Sequence, residues 1–160
     1  MTDNNKKLKQ SSPIAMYQLA KEYFTVGQDS LAAYRMRLPE NQRHHTNIPF
    51  AIFYNFGHGI ELSLKAHLLQ NGVPIDDLRG YGHNLESCLK ASLDFKLMEL
   101  CNLTELDLDQ IRLLNLTYYR KEFEYAVLGG VTVPHIDQIA SACEKLCSGL
   151  DSLQWKKAGE

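Results

Sequence analysis

The segment 50–72 carries three side chains, His58, Glu61 and Lys65, whose types and spacing could do chemistry. Apolar residues recur around them at steps of three and four, which predicts an α-helix with a wide apolar surface. Glu61 and Lys65 are four residues apart with Glu first, the favourable order for a helical ion pair. One interpretation is a solvated polar edge. The other is a half-buried pair, which would have to be fully hydrogen-bonded.

His83 precedes a second helical pattern and allows three interpretations. It could begin that helix and hydrogen-bond inside the bundle. It could join Glu61 and Lys65 in a structural polar cluster that fixes the two helices together. Since imidazole titrates near neutral pH, it could also serve as a catalytic base.

A third group comprises Tyr118, Tyr119, Arg120 and Tyr125. A guanidinium fork fits a phosphate bidentately, and tyrosine rings stack on nucleobases. This stretch therefore predicts a binding site for RNA or a nucleotide. The alternative is that the tyrosines pack the core while Arg120 pairs with a nearby glutamate.

The densest basic stretch precedes residue 50 and contains Arg35, Arg37, Arg43, His44 and His45. Such a patch could contact a phosphate backbone, with Arg37, Arg43 and His44 as the candidate contacts, or it could simply be solvated.

Composition limits the class of protein. The chain has 160 residues, 44% hydrophobic and 22% charged, with a net charge of −2. This predicts one globular domain and argues against a surface covered by nucleic acid.

The start has no apolar signal region, and no apolar run is long enough for a membrane span, so we expect a cytoplasmic protein. The four cysteines are predicted to be reduced core residues, and no metal site or cofactor is predicted.

The elements that must position these residues are helices. We predict an all-α, up-and-down bundle of four to five helices spanning 13–155 as a single domain, after a disordered polar tail at 1–12. The helices are expected at about 13–37, 50–72, from 83 or 84 to about 98, at 105–119, and from Pro134. Residues 73–82 are expected to connect helices, 121–132 to be extended, and the final WKKAGE to fray.

Three stretches together carry a resemblance: FGHGIELSLKAHLLQNGVP, GHNLESCLKAS and LLNLTYYRKEFEYAVLGGVTVPHID. The ordered set over about 50–145 resembles the HEPN group of small bacterial and archaeal helical domains. Its carriers are Glu61, the Leu-Lys-Ala at 64–66, the Gly-His-Asn-Leu at 82–85 and the Tyr/Arg-rich stretch from 118.

The resemblance implies a four- to five-helix bundle, frequent dimerisation, and binding of RNA or nucleotides, often within toxin–antitoxin or phage-defence systems. Catalytic members are metal-independent ribonucleases with His following Arg after four to six residues. Here Tyr125 stands at that distance from Arg120. Arg37 and His44 match the spacing literally, but they span Pro39 in a loop, and we regard the match as chance. We therefore assign no catalytic residue.

Three functions follow as hypotheses. The first is a non-catalytic HEPN-like domain that binds RNA or a nucleotide. The second is a helical interaction module, either a homodimer or the partner of a nucleotidyltransferase or an antitoxin. The third is a metal-independent ribonuclease with an unconventional base in place of the absent histidine, since a tyrosine with a pKa near 10 is a poor base.

Overall fold

The computed structural model describes residues 12–43, 47–123 and 130–156. Within these ranges the regular structure is entirely helical, which confirms the predicted all-α class. A short 3₁₀ helix lies at Glu40–Gln42. The α-helices of the described residues are α1 (Pro13–Met36), α2 (Phe50–Gln70), α3 (Ile75–Tyr81), α4 (Leu85–Leu93), α5 (Leu97–Leu100), α6 (Glu105–Tyr118) and α7 (Ile136–Asp151).

Helix α2 is the centre of the bundle and packs against α1, α4, α6 and α7. Its predicted apolar side is buried, with Phe53, Phe56, Ile60, Leu64 and Leu68 at most 1% exposed. Burying each such side chain contributes about 1.5–3 kcal/mol relative to leaving it exposed. Because neighbours surround it on several sides, α2 fixes the position of every side chain it carries.

Two glycines in α2 let neighbouring helices approach closely. A Cβ at Gly57 would lie 2.6 Å from the ring of Tyr118 on α6. A Cβ at Gly59 would collide with the ring of Phe24 on α1. These contacts compensate for the roughly 1 kcal/mol that each glycine costs a helix relative to alanine.

The predicted helix starts near residues 13, 84 and 105 are confirmed, and the N-caps are Ser12, Asn84 and Thr104. The Ser12 side chain accepts from the Ala15 amide at 3.2 Å, and Pro13 is the first residue of α1. The Asn84 side chain caps α4. Thr104 and Asp107 form a complete capping box at the start of α6.

The prediction that residues 73–82 merely connect helices is wrong, because α3 occupies Ile75–Tyr81 after Pro74. Its first turn carries two acidic residues, which favour a helix N-terminus. The prediction of one helix from 84 to about 98 is also wrong. The chain turns after Leu93, with Lys96 at φ +59°, and resumes as α5.

Two corrections concern the C-terminal part. Helix α7 begins at Ile136 rather than at Pro134, with His135 as its N-cap. Trp155, predicted to fray with the tail, stacks on Tyr17 at 5.0 Å between ring centroids. Gln70 also holds this segment, since its amide nitrogen donates to the Gln154 carbonyl and its oxygen accepts from the Lys156 amide.

Half of the extended segment predicted near 121–132, residues 124–129, lies outside the described residues. Residues 121–123 form a turn, and 130–135 have no regular secondary structure. The tail predicted at 1–12 is described only at Ser12.

No helix of the described ranges is both long and apolar enough to span a bilayer. Cys88, Cys101 and Cys143 are buried and Cys147 is partly buried, in line with core roles.

Candidate functional site

The most unusual group in the interior is the carboxylate of Glu61, in the middle of α2 and only 3% exposed. One oxygen accepts from Lys65 Nζ at 2.6 Å. The other accepts from the Tyr118 hydroxyl at 2.6 Å and lies 3.0 Å from His83 Nδ1. The interpretation of Glu61 as part of a solvated edge is therefore wrong, and the carboxylate is a fully paired buried group. We call Glu61, Lys65, His83, His58 and Tyr118 the Glu61 cluster.

Glu61 is held in its charged form. Burial alone would raise the pKa of its carboxyl, but the Lys65 ammonium and the hydrogen bonds from Lys65, Tyr118 and His83 outweigh burial and lower it. A buried carboxylate is tolerated only when its lone pairs are satisfied in this way. Lys65 Nζ also donates to the Gly82 carbonyl at 2.6 Å, so the cluster joins α2 to α6 and to the start of α4.

A second polar contact holds the same helix start against α6. The Leu85 amide donates to the Asn115 side-chain oxygen at 2.8 Å, and the Asn115 amide nitrogen lies 3.3 Å from the Asn84 oxygen. Asn115 is buried on α6, one turn before Tyr118. Asn115 holds the helix start that follows His83, and Tyr118 bonds to Glu61, so the two residues of α6 together position His83 relative to Glu61.

Aromatic rings continue the cluster toward the surface. His58 Nδ1 lies 3.0 Å from the Tyr118 hydroxyl. The His58 ring stacks on Tyr54 at 5.8 Å and meets the edge of Tyr23 at 4.4 Å. Tyr23, Tyr54 and His58 are partly exposed, and the His83 side chain is 48% exposed. We call these four rings the aromatic surface.

Tyr118 and Tyr119, predicted together as base-stacking rings, have different environments. Tyr118 is 4% exposed and its hydroxyl serves Glu61, so the prediction that its ring contacts a ligand is corrected to a structural role. Tyr119 is 54% exposed. The Arg120 side chain is 71% exposed, and its Nη1 lies 3.9 Å from Glu122, too far for a hydrogen bond. Arg120 and Tyr119 are thus accessible directly after the C-terminal end of α6.

Three contacts place the end of α1, the start of α2, the segment after α6 and the start of α7 at one end of the bundle. Phe123, shortly after Arg120, packs on Phe50 and Phe53 at the start of α2. The Tyr34 hydroxyl donates to the Asn47 carbonyl at 2.6 Å, which ties the end of α1 to the segment entering α2. Arg35 at the end of α1 pairs with Asp137 in the first turn of α7 at 2.8 Å.

Arg37 and Arg43 are exposed at this end, where they follow α1 and the 3₁₀ helix. Arg35, in contrast, is engaged with Asp137 and is a structural residue. Two further predicted contacts, His44 and Tyr125, lie outside the described residues. The arrangement offers guanidinium groups for phosphates and partly exposed rings for bases at one end and along one side of the bundle.

A second buried ion pair is structural. Asp107 Oδ2 accepts from Lys145 Nζ on α7 at 2.6 Å and from the Thr104 amide at 2.7 Å. Burial raises the pKa of Asp107, but the Lys145 and Thr104 hydrogen bonds outweigh it and lower the value. Among the described residues, no three His, Cys, Asp or Glu side chains are grouped to hold a metal ion.

The sequence reasoning missed the pairing of Tyr118 with Glu61 and the contact of His58 with Tyr118. Both contacts join residues about 60 positions apart, so no local pattern indicates either of them. The spacing does place His58 near Glu61, because the two residues are one turn apart on the same helix face.

The chain was compared with protein-family models, with curated proteins and with solved structures, and none of them matches. The resemblance to the HEPN group therefore depends on the sequence motifs alone.

Proposed function

We propose that the chain is a cytoplasmic HEPN-like helical domain that binds single-stranded RNA without cleaving it. The observation that carries the proposal is the 71% exposed Arg120 side chain beside the exposed Tyr119 ring, at the end of α6 that the Glu61 cluster holds in place. Single-stranded RNA is recognised by stacking on aromatic rings and by cations that follow its backbone. Arg37 and Arg43 extend the positive surface at the same end.

We expect no cleavage because the residue that follows Arg120 at the catalytic spacing is a tyrosine and not a histidine. Cleavage without metal needs a base with a pKa near neutrality to deprotonate the 2′-hydroxyl. Tyr125 stands where catalytic relatives carry histidine, and a phenol does not meet that requirement. Arg120 can hold a phosphate without a base beside it.

The test is binding to a fluorescent single-stranded RNA pool at 50 and 200 mM salt. Arg120→Gln should weaken binding and reduce the salt dependence by about one phosphate contact. Arg112→Gln is the matched control, because Arg112 lies within α6, ahead of Arg120, and pairs with Asp109 at 2.8 Å. Equal loss in both variants, or binding without salt dependence, would contradict the proposal. Release of shortened RNA by the wild type would replace it with the ribonuclease hypothesis.

A second candidate function, a homodimeric or heteromeric interaction module, is favoured by the outer side of α1. Leu19 and Val26 are 43% and 50% exposed and lie seven residues apart, on one face of the helix. Light scattering after size exclusion should then give a dimer that Val26→Lys converts to a monomer. A wild-type monomer without a co-purifying nucleotidyltransferase or antitoxin would remove this candidate.

A further inference from the structure

The hydrogen bonds around Glu61 fix the position of the proton on the His83 imidazole. The Glu61 carboxylate is ionised against the Lys65 ammonium at 2.6 Å, and an ionised carboxylate only accepts hydrogen bonds. Its contact with His83 Nδ1 at 3.0 Å therefore requires a proton on Nδ1. A neutral imidazole carries a single ring proton, so the lone pair of His83 is on Nε2.

The lone pair of Nε2 lies on the outer side of the ring. The two nitrogens of an imidazole point away from each other, so a ring whose Nδ1 faces a buried carboxylate directs its Nε2 away from it. The His83 side chain is 48% exposed, and its Nε2 has no hydrogen-bond partner among the described residues. The edge-on contact with the Tyr118 ring, at 6.4 Å between centroids, helps to fix the plane of the imidazole. His83 therefore presents an accessible nucleophilic nitrogen in a defined orientation.

The charges around His83 suit attack on an anionic electrophile. The Lys65 ammonium neutralises the Glu61 carboxylate, so the buried pair does not repel an anion. Lys65 Nζ also donates to the carbonyl of Gly82, the residue before His83, which places a positive charge close to the imidazole. When Nε2 forms a covalent bond the ring becomes cationic, and a carboxylate against Nδ1–H stabilises that cation. The arrangement is thus suited to accept a phosphoryl group, whose oxygens are anionic.

We propose that His83 is a phosphorylation site that accepts a phosphoryl group on Nε2 from a phosphoramidate donor. The Nε2 lone pair forms a bond to phosphorus, while the N–P bond of the donor breaks and its protonated nitrogen leaves as an amine with the electron pair. The Nδ1 proton stays on the ring against Glu61, so no base has to remove it. One N–P bond replaces another, so the transfer needs no further co-reactant. Phosphorylation of His83 does not depend on RNA binding by Arg120.

The experiment treats the full chain with potassium phosphoramidate at pH 8 and follows each histidine by peptide mass spectrometry under alkaline conditions. His83 should be phosphorylated at least about fivefold faster than His135, because the His135 side chain is exposed but contacts no carboxylate among the described residues. NMR of the ring nitrogens in the untreated protein should show the His83 proton on Nδ1. Equal or slower modification of His83, or a proton on its Nε2, would overturn the proposal.

Two variants separate the charge of Glu61 from the packing of the cluster. Glu61→Gln removes the charge and should slow phosphorylation of His83 to the rate of His135. Tyr118→Phe is the matched control, because it removes one hydrogen bond to Glu61 but leaves the carboxylate against His83, so the His83 rate should stay close to that of the wild type.

Circular dichroism shows whether each variant is folded. If Glu61→Gln does not fold, the ratio of the His83 and His135 rates in the wild type decides the question alone. An unchanged His83 rate in folded Glu61→Gln, or an equal loss of rate in Tyr118→Phe, would show that the Glu61 charge does not activate His83, which overturns the proposal.

Discussion

The burial of His67 makes the stability of the fold depend on pH in a specific window. Burial lowers the pKa of this imidazole from 6.5 to about 4, while hydrogen bonding to the Phe95 backbone acts in the opposite direction and only partly offsets burial. In the unfolded chain the imidazole returns to its ordinary value. Between about pH 6.5 and 4 the unfolded state thus binds the additional proton.

The sign follows from proton linkage. Stability rises with pH wherever the unfolded state holds more protons, so His67 destabilises the fold as pH decreases from about 6.5 toward 4. Each pH unit in this window corresponds to about 1.4 kcal/mol. The free energy of unfolding should therefore fall by about 2 kcal/mol between pH 8 and pH 5 from this residue, and by about 3 kcal/mol once pH 4 is passed.

The assay is urea unfolding at pH 8, 7, 6 and 5 of the wild type and of His67→Gln, which cannot titrate. The difference between the two pH profiles isolates the imidazole. Glu61 and Asp107, whose carboxyl pKa values are lowered, lose their stabilising contribution only as pH falls below their ordinary range, so they contribute little between pH 8 and 5. His135→Gln serves as the control for the exchange of histidine for glutamine, because the His135 side chain is exposed.

Two results would refute the reasoning. The first is a His67→Gln profile parallel to that of the wild type between pH 8 and 5. The second is an NMR titration in which the folded-state His67 signal moves with a midpoint near 6.5. Either result would mean that the His67 imidazole has the same pKa in the folded bundle as in the unfolded chain.

Four further substitutions test the packing, each by urea unfolding at pH 7. Tyr118→Phe removes a hydrogen bond to a buried carboxylate and should cost about 1.5–3 kcal/mol; no loss would show that the bond is not formed. Gly59→Ala forces a Cβ against Phe24 and should cost about 1–3 kcal/mol, whereas Gly80→Ala, with open space around it, should stabilise by about 0.5–1 kcal/mol; the same sign for both would contradict the close approach. Asp107→Ala removes a capping box and leaves Lys145 unpaired, so a loss under 1 kcal/mol would refute its role.

The features that the sequence predicted well are local. Helix starts at Ser12, Asn84 and Thr104 depend on side chains that reach amides three residues away, and such contacts are visible in the spacing of residues. The apolar period of 50–70 is likewise set by 3.6 residues per turn. These signals need no knowledge of how the helices pack.

The errors came where tertiary contacts decide. Leucines continue every four residues from 85 to 97, but the chain turns at residues 94–96, and the period alone does not show that interruption. Trp155 follows a helix end and precedes a polar tail, yet it packs because α1 presents Tyr17 to it. Both outcomes depend on neighbours that are distant in sequence, so periodicity and composition do not specify them.

The same distinction explains the candidate site. The sequence identified Glu61 and Lys65 as a pair but left their burial open, because burial depends on α6 covering them. Once Tyr118 is placed on Glu61, Arg120 at the end of α6 acquires a fixed location. Burying a charged cluster costs desolvation that an apolar core would avoid. Under the proposed RNA-binding function, this cost is offset by a defined position of α6 next to the exposed arginine that follows it.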